Sequence, residues 1–123
     1  MLSNITHQFD YKKPSTLMIG RYQPFHDGHF ALFLEALKRS GQVVIAVRDT
    51  GGTDEKNPFD FQFVKDQIDQ KLKNYIGQYV VILIPNITNV VYGRDVGYLI
   101  EKVDLGADIE SISATEIRRK LGY

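Results

Sequence analysis

The chain contains no cysteine. That excludes a disulfide framework and any thiolate-ligated metal site, and it suits a reducing compartment. It has no excess of either charge, because 15 lysines and arginines balance 15 aspartates and glutamates. No global field therefore draws it toward nucleic acid or an anionic membrane, and any anion site must be local. Its apolar runs are too short to span a bilayer, and the N-terminus lacks the basic segment and apolar core of a signal peptide. A soluble cytoplasmic protein is expected, with neither nucleic acid nor membrane among its partners. No repeat or low-complexity tract divides the 123 residues, a length suited to one domain with a real core.

What is present is an alternation of apolar runs and amphipathic segments. Residues 1–14 are polar and end in Lys12-Lys13-Pro14, which reads as a tail or an oligomer contact ahead of a single domain over residues 15–123. A homo-oligomer is expected. Residues 15–20 are apolar almost throughout, as in a parallel strand buried on both faces. Phe30, Phe33, Leu34 and Leu37 then recur at helical spacing, and Gly41 supplies a left-handed stop. Residues 42–47 form a second strand. Residues 48–57, with Gly51-Gly52 among charges, form a mobile loop over the strand's end that reads as a lid or acceptor-binding segment. Asn57 as a cap and Pro58 at the first helical position predict a second helix carrying Phe61, Val64, Ile68, Leu72 and Ile76 on one face. Residues 79–84 are a third strand and residues 89–92 a fourth, followed by the turn from Gly93 to Gly97. Residues 98–105, rich in Tyr, Ile and Val, read as a fifth strand in preference to a short helix. Ser113 and Glu116 form a capping box, with Ile112 and Ile117 as a staple, for a last helix that ends at Gly122. The expected architecture is α/β: a three-layer, doubly wound, Rossmann-like parallel sheet of about five strands, whose ligands collect beyond the strands' carboxyl ends.

One stretch organises the rest: Gly20-Arg21-Tyr22-Gln23-Pro24-Phe25-His26-Asp27-Gly28-His29, between the first strand and the first helix. A helix's first turn carries unpaired N–H groups worth roughly half a positive charge, and a histidine there can donate to a phosphate oxygen. His26 and His29, three apart, can face one pocket. Gly28 leaves room for a phosphate to approach the backbone. Asp27, whose carboxylate would repel that phosphate, should point outward as an N-cap. Two histidines alone do not make a metal site, and no third ligand neighbours them.

Gly20-Arg21-x-Gln23-Pro24-x-His26-x-Gly28-His29 resembles the signature of the HxGH nucleotidyltransferase superfamily, and Ile112-Ser113-Ala114-Thr115-Glu116-Ile117-Arg118 resembles its ISxTxIR signature. The resemblance covers residues 15 to the C-terminus and is strongest at these two motifs. It implies a cytidylyltransferase-like domain in which His26, His29 and Arg118 are catalytic. Gly20, Arg21, Tyr22, Gly28, Ser113 and Thr115 would bind the nucleotide, the residues from Gly20 to Tyr22 through main-chain groups. It also implies magnesium arriving with the nucleotide, since nothing in the sequence resembles a dedicated metal cage.

The implied reaction is attack of a phosphate-bearing small molecule on the α-phosphorus of a nucleoside triphosphate, with release of pyrophosphate. It requires positioning and charge stabilisation and no covalent enzyme intermediate. Gly-Arg-x-Gln-Pro, Asn57-Pro58-Phe59 and Thr-Glu-Ile-Arg-Arg look most like the adenylyltransferase branch, including archaeal nicotinamide-mononucleotide enzymes. The shortness of the chain is similar to that of the small glycerol-phosphate cytidylyltransferases, which carry an arginine where this chain has Asp108-Ile109-Glu110. ATP is therefore expected over CTP, with the base read by the loop containing Gly93, Arg94 and Asp95, Arg94 stacking on it. A cytidylyltransferase acting on a small alcohol phosphate and a non-catalytic nucleotide-binding protein are the alternatives.

Overall fold

The computed structural model describes residues 8–94, 97–106 and 114–122. Strands β1 (Thr16–Gly20), β2 (Val43–Arg48) and β3 (Tyr79–Ile84) alternate with helices α1 (Asp27–Ser40) and α2 (Phe61–Lys71), and α3 (Ala114–Lys120) lies near the C-terminus. The strands form one parallel sheet in the order β1-β2-β3. The architecture is thus α/β with a parallel sheet and flanking helices, consistent with a Rossmann-like domain.

Both helices cover the same face of that sheet. Register pairs Met18 with Ile45, and on that side Met18, Val43, Ile45 and Val47 join Phe33 of α1 and Val64 and Ile68 of α2 in one buried cluster. Because each crossover steps to the next strand in the same direction, its helix falls on the same side. Leu17 and Ile19 point to the opposite face and are exposed, so β1 is buried on one face and not on both as expected.

α1 follows the predicted periodicity: Phe33 and Ala36 are buried, with Phe30, Leu34 and Leu37 packed around them. It ends at Gly41, whose φ of 84° is reached without strain only by glycine and whose N–H donates to the Leu37 carbonyl at 2.8 Å. α2 begins later than expected. Its cap is Asp60, which accepts the Phe63 N–H at 2.9 Å, while Asn57 is buried and accepts from Arg21 Nη1 at 3.2 Å. Asn57 thus closes a tertiary contact and leaves capping to an exposed aspartate. The helix also stops early, at Lys71; a 3₁₀ turn at Lys73–Tyr75 follows, and Ile76 is exposed instead of continuing the apolar face.

Three strands are found among the described residues, not about five. Residues 89–92 and 98–105, read as strands, have no regular structure, and Val90, Val91, Tyr92, Tyr98, Leu99 and Ile100 are exposed. Their β-branched and aromatic composition favours a strand only when a neighbouring edge pairs with it. The capping box and staple expected at Ser113 and Ile112 lie outside the described residues. Among the described residues no helix is long and apolar enough to cross a membrane.

Candidate functional site

The chain leaves β1 at Gly20 and turns sharply through Tyr22, whose φ of 53° lies in the left-handed region that tyrosine rarely adopts. Burial over-determines this conformation. The Tyr22 ring lies over Gly20, where an added Cβ would sit 2.9 Å from ring carbons. It also contacts Phe25 (5.5 Å between centroids) and His29 edge-on (4.8 Å). Gly20 is therefore needed to seat a core aromatic, a requirement that the expected main-chain approach to a nucleotide did not contain. The Tyr22 side chain belongs to the core, and its burial raises the phenol pKa.

The N-cap of α1 is His26, not Asp27. His26 Nδ1 accepts the Gly28 N–H at 3.0 Å, and His29 Nδ1 accepts the His26 N–H at 3.1 Å. Two histidines thus form a reciprocal capping box, a task usually performed by Ser or Thr with Glu. Their rings stack at 3.8 Å. A nitrogen that accepts an N–H bond carries no proton, so each neutral ring bears its hydrogen on Nε2. The His26 and Gly28 N–H groups are taken by this box. The side-chain donors left outside the box are the imidazole Nε2–H groups.

Burial among Tyr22, Phe25 and His26 pushes the His29 pKa down to about 3, with the charge of His26 adding to the effect. His26 is lowered as well, chiefly by burial, with Lys71 opposing and Asp27 favouring its charged form. Asp27, at the first helical position, points outward and pairs with Lys71 Nζ at 2.6 Å. That hydrogen bond and charge hold its carboxyl below the usual range and offset its repulsion of an anion at the turn.

Gln23 links this turn to the rest of the molecule. Its buried side chain donates to the Phe59 carbonyl at 2.9 Å and accepts the Phe59 N–H at 3.0 Å, which fixes the approach to α2. Its carbonyl accepts a hydrogen bond from Arg118 Nη1. Arg118 is 7% exposed, and its Nη2 lies 3.4 Å from Thr115 Oγ1. The two C-terminal residues therefore share a helix face, as expected from their spacing, and that face meets the histidine turn across 95 positions of sequence.

Other predicted residues are not gathered there. Gly93 and Arg94 are exposed in a segment without regular structure, and among the described residues no atom lies within 4 Å of a Cβ placed on Gly93. Asp95 and Ser113 lie outside the described residues. Arg21 is exposed and directed to Asn57. Among the described residues no group of three His, Asp or Glu side chains can hold a metal ion. Sequence reasoning missed the structural part played by Gln23. The one signal was an amide placed among aromatic residues, where a buried polar group must find partners. It also took Arg48 as the start of the loop over residues 48–57, whereas Arg48 is the last residue of the central strand. No family model matches the chain, and no curated protein or solved structure matches it.

Proposed function

We propose that the chain is a nucleotidyltransferase that transfers a nucleoside monophosphate, AMP from ATP, to a phosphate-bearing small molecule and releases pyrophosphate. The observation that carries this reading is the Arg118 bond to the Gln23 carbonyl, which joins the Thr115–Arg118 face to the turn holding His26 and His29. Donors separated by most of the sequence are brought to one helix end.

In this reading an oxygen of the acceptor phosphate attacks the α-phosphorus. The new O–P bond forms as the bond to the β-phosphate oxygen breaks, and pyrophosphate leaves with the electron pair. An ionised phosphate needs no base, so the histidines act as donors. His26 and His29 direct Nε2–H groups at α-phosphate oxygens, while Arg118 and Thr115 hold the β- and γ-phosphates. Neutral imidazoles suit this role, because their hydrogen bonds need no proton from solvent near neutral pH. The described residues offer no cage for magnesium, so the ion would be held by phosphate oxygens and water, and no step is assigned to it. A doubly wound three-layer sheet of about five strands, a cytoplasmic location, a homo-oligomeric state and base recognition by Gly93, Arg94 and Asp95 complete the reading.

The test is incubation with each nucleoside triphosphate and a panel of phosphorylated metabolites while pyrophosphate is followed. Release with ATP and one acceptor is expected. Release only with CTP would transfer the assignment to a cytidylyltransferase, and nucleotide binding without pyrophosphate under any pairing would leave a non-catalytic nucleotide binder.

A further inference from the structure

Most ion pairs among the described residues are local. Lys38–Glu35, Arg39–Glu35, Lys65–Asp69 and Arg119–Glu116 each join residues three or four apart on one helix, the spacing at which a pair supports the helix that carries it. Lys71 and Asp27 are different, because they join the last turn of α2 to the first turn of α1, at 2.6 Å. The early stop of α2 brings Lys71 there. Leu72, the next residue, is fully buried, and Tyr75 in the 3₁₀ turn packs edge-on against Phe30 and Phe33 of α1, with ring centroids 6.1 and 5.3 Å apart. The lysine stem thus starts from a backbone fixed against α1.

The pair adds little to stability, since the side chains of Lys71 and Asp27 are 35% and 76% exposed. Its effect falls on the histidine turn. Asp27 directly follows His26, and the positive end of α1 attracts its carboxylate for the same reason that it attracts a phosphate. Without a partner, that carboxylate would compete with a polyphosphate for the same field. Bonded to Lys71, it is drawn away from the turn and its charge is cancelled. Lys71 also opposes the charged form of His26, which leaves Nδ1 able to accept the Gly28 N–H.

We infer that Lys71 is a positioning residue for the triphosphate: acting through Asp27, it keeps the histidine turn open to a polyanion that an unpaired Asp27 would repel. The inference rests on the transferase reading above, and it gives the end of α2 a part in a site otherwise built from the β1–α1 turn and α3.

The experiment is a calorimetric titration of the full chain with ATP and, separately, with inorganic tripolyphosphate, both in magnesium at low salt. The variants are Lys71→Met, which keeps the stem and removes the charge, Asp27→Asn, and the two combined. Lys71→Met should weaken both ligands about threefold to tenfold, the size of one uncompensated charge beside a polyanion at a partly solvated site. Asp27→Asn alone should bind at least as tightly as wild type, and the double variant should recover wild-type affinity. Urea midpoints should stay close to wild type in all three, as for an exposed pair. Recovery in the double variant is the readout that a merely structural lysine does not give. Unchanged affinity in Lys71→Met would overturn the inference and leave the transferase reading in place. Weakening that persists in the double variant would make Lys71 a direct phosphate ligand, overturning its action through Asp27. The expected pattern with tripolyphosphate in a chain that ignores ATP would leave the charge pair standing and remove the transferase reading, and a wild-type chain that binds neither would overturn both.

Discussion

His26 and His29 are held by bonds that reach no more than three residues along the chain, whereas Arg118 is held to the turn by a bond to a carbonyl 95 positions away. The first half of the candidate site is made by a helix start that builds itself: the imidazoles close the cap through Nδ1 and keep their hydrogen on Nε2. The second half exists only when the fold is complete. Local geometry can be prepared by local sequence, while convergence of distant groups requires a junction, and here the junction is Gln23.

The largest effect should come from dividing the two tasks of the first half. His26→Ser keeps an oxygen that can cap α1, so its stability should stay near wild type while pyrophosphate release falls about a hundredfold or more, the loss of a preorganised donor. His26→Ala should show the same fall in turnover with about 1 kcal/mol of stability lost as well. Equal turnover in wild type and His26→Ser would reduce His26 to a cap.

Next comes the junction itself. Gln23→Ala leaves the Phe59 N–H and carbonyl without the partners they have now, and urea unfolding should report a loss of about 2–3 kcal/mol. An unchanged midpoint would mean that the approach to α2 is fixed by other contacts. Arg118→Ala should be smaller in stability and specific in effect, with nucleotide affinity about tenfold weaker by calorimetry and unfolding little changed. If the variant loses stability and keeps affinity, the far half of the site is only a tether.

The gentlest probe is pH. In the unfolded chain His29 takes up a proton near 6.5, whereas in the fold it does so only near 3. The unfolded state therefore binds more protons between these values, so this contribution is complete above 6.5 and declines as pH falls toward 3. Urea midpoints measured from about pH 7 to about pH 4 should drop in wild type, and the part of that drop missing from His29→Asn is the contribution of His29. A parallel decline in both would place the responsible group elsewhere.

The same contrast explains what could be read from sequence. Phe33, Val64 and Ile68 announce their helices because burial repeats at the period of the helix itself. The three strands within a few residues, the Gly41 stop and the shared face of Thr115 and Arg118 were legible for the same reason. The exchange of the cap from Asp27 to His26 was not, because aspartate is the commoner capping residue and only the stacked partner ring at His29 favours the imidazole. Nor was the Asn57 contact with Arg21, which depends on where β1 and the loop after β2 meet. Residues 89–92 and 98–105 show the converse, a composition that suits strands in a segment where the described structure pairs none.

The Gln23–Arg118 bond also bears on the order in which the molecule assembles. Closing a loop of 95 residues costs more conformational entropy than forming the parallel pairs of β1 with β2, and such contacts form after shorter ones have reduced the chain's freedom. α3 joins a core that is already built from Met18 to Leu72, and its release would leave that core intact. The grip of Arg118 on the turn should then be the last native contact to form and among the first to open, so hydrogen exchange in α3 should be faster than in β2 in the intact protein.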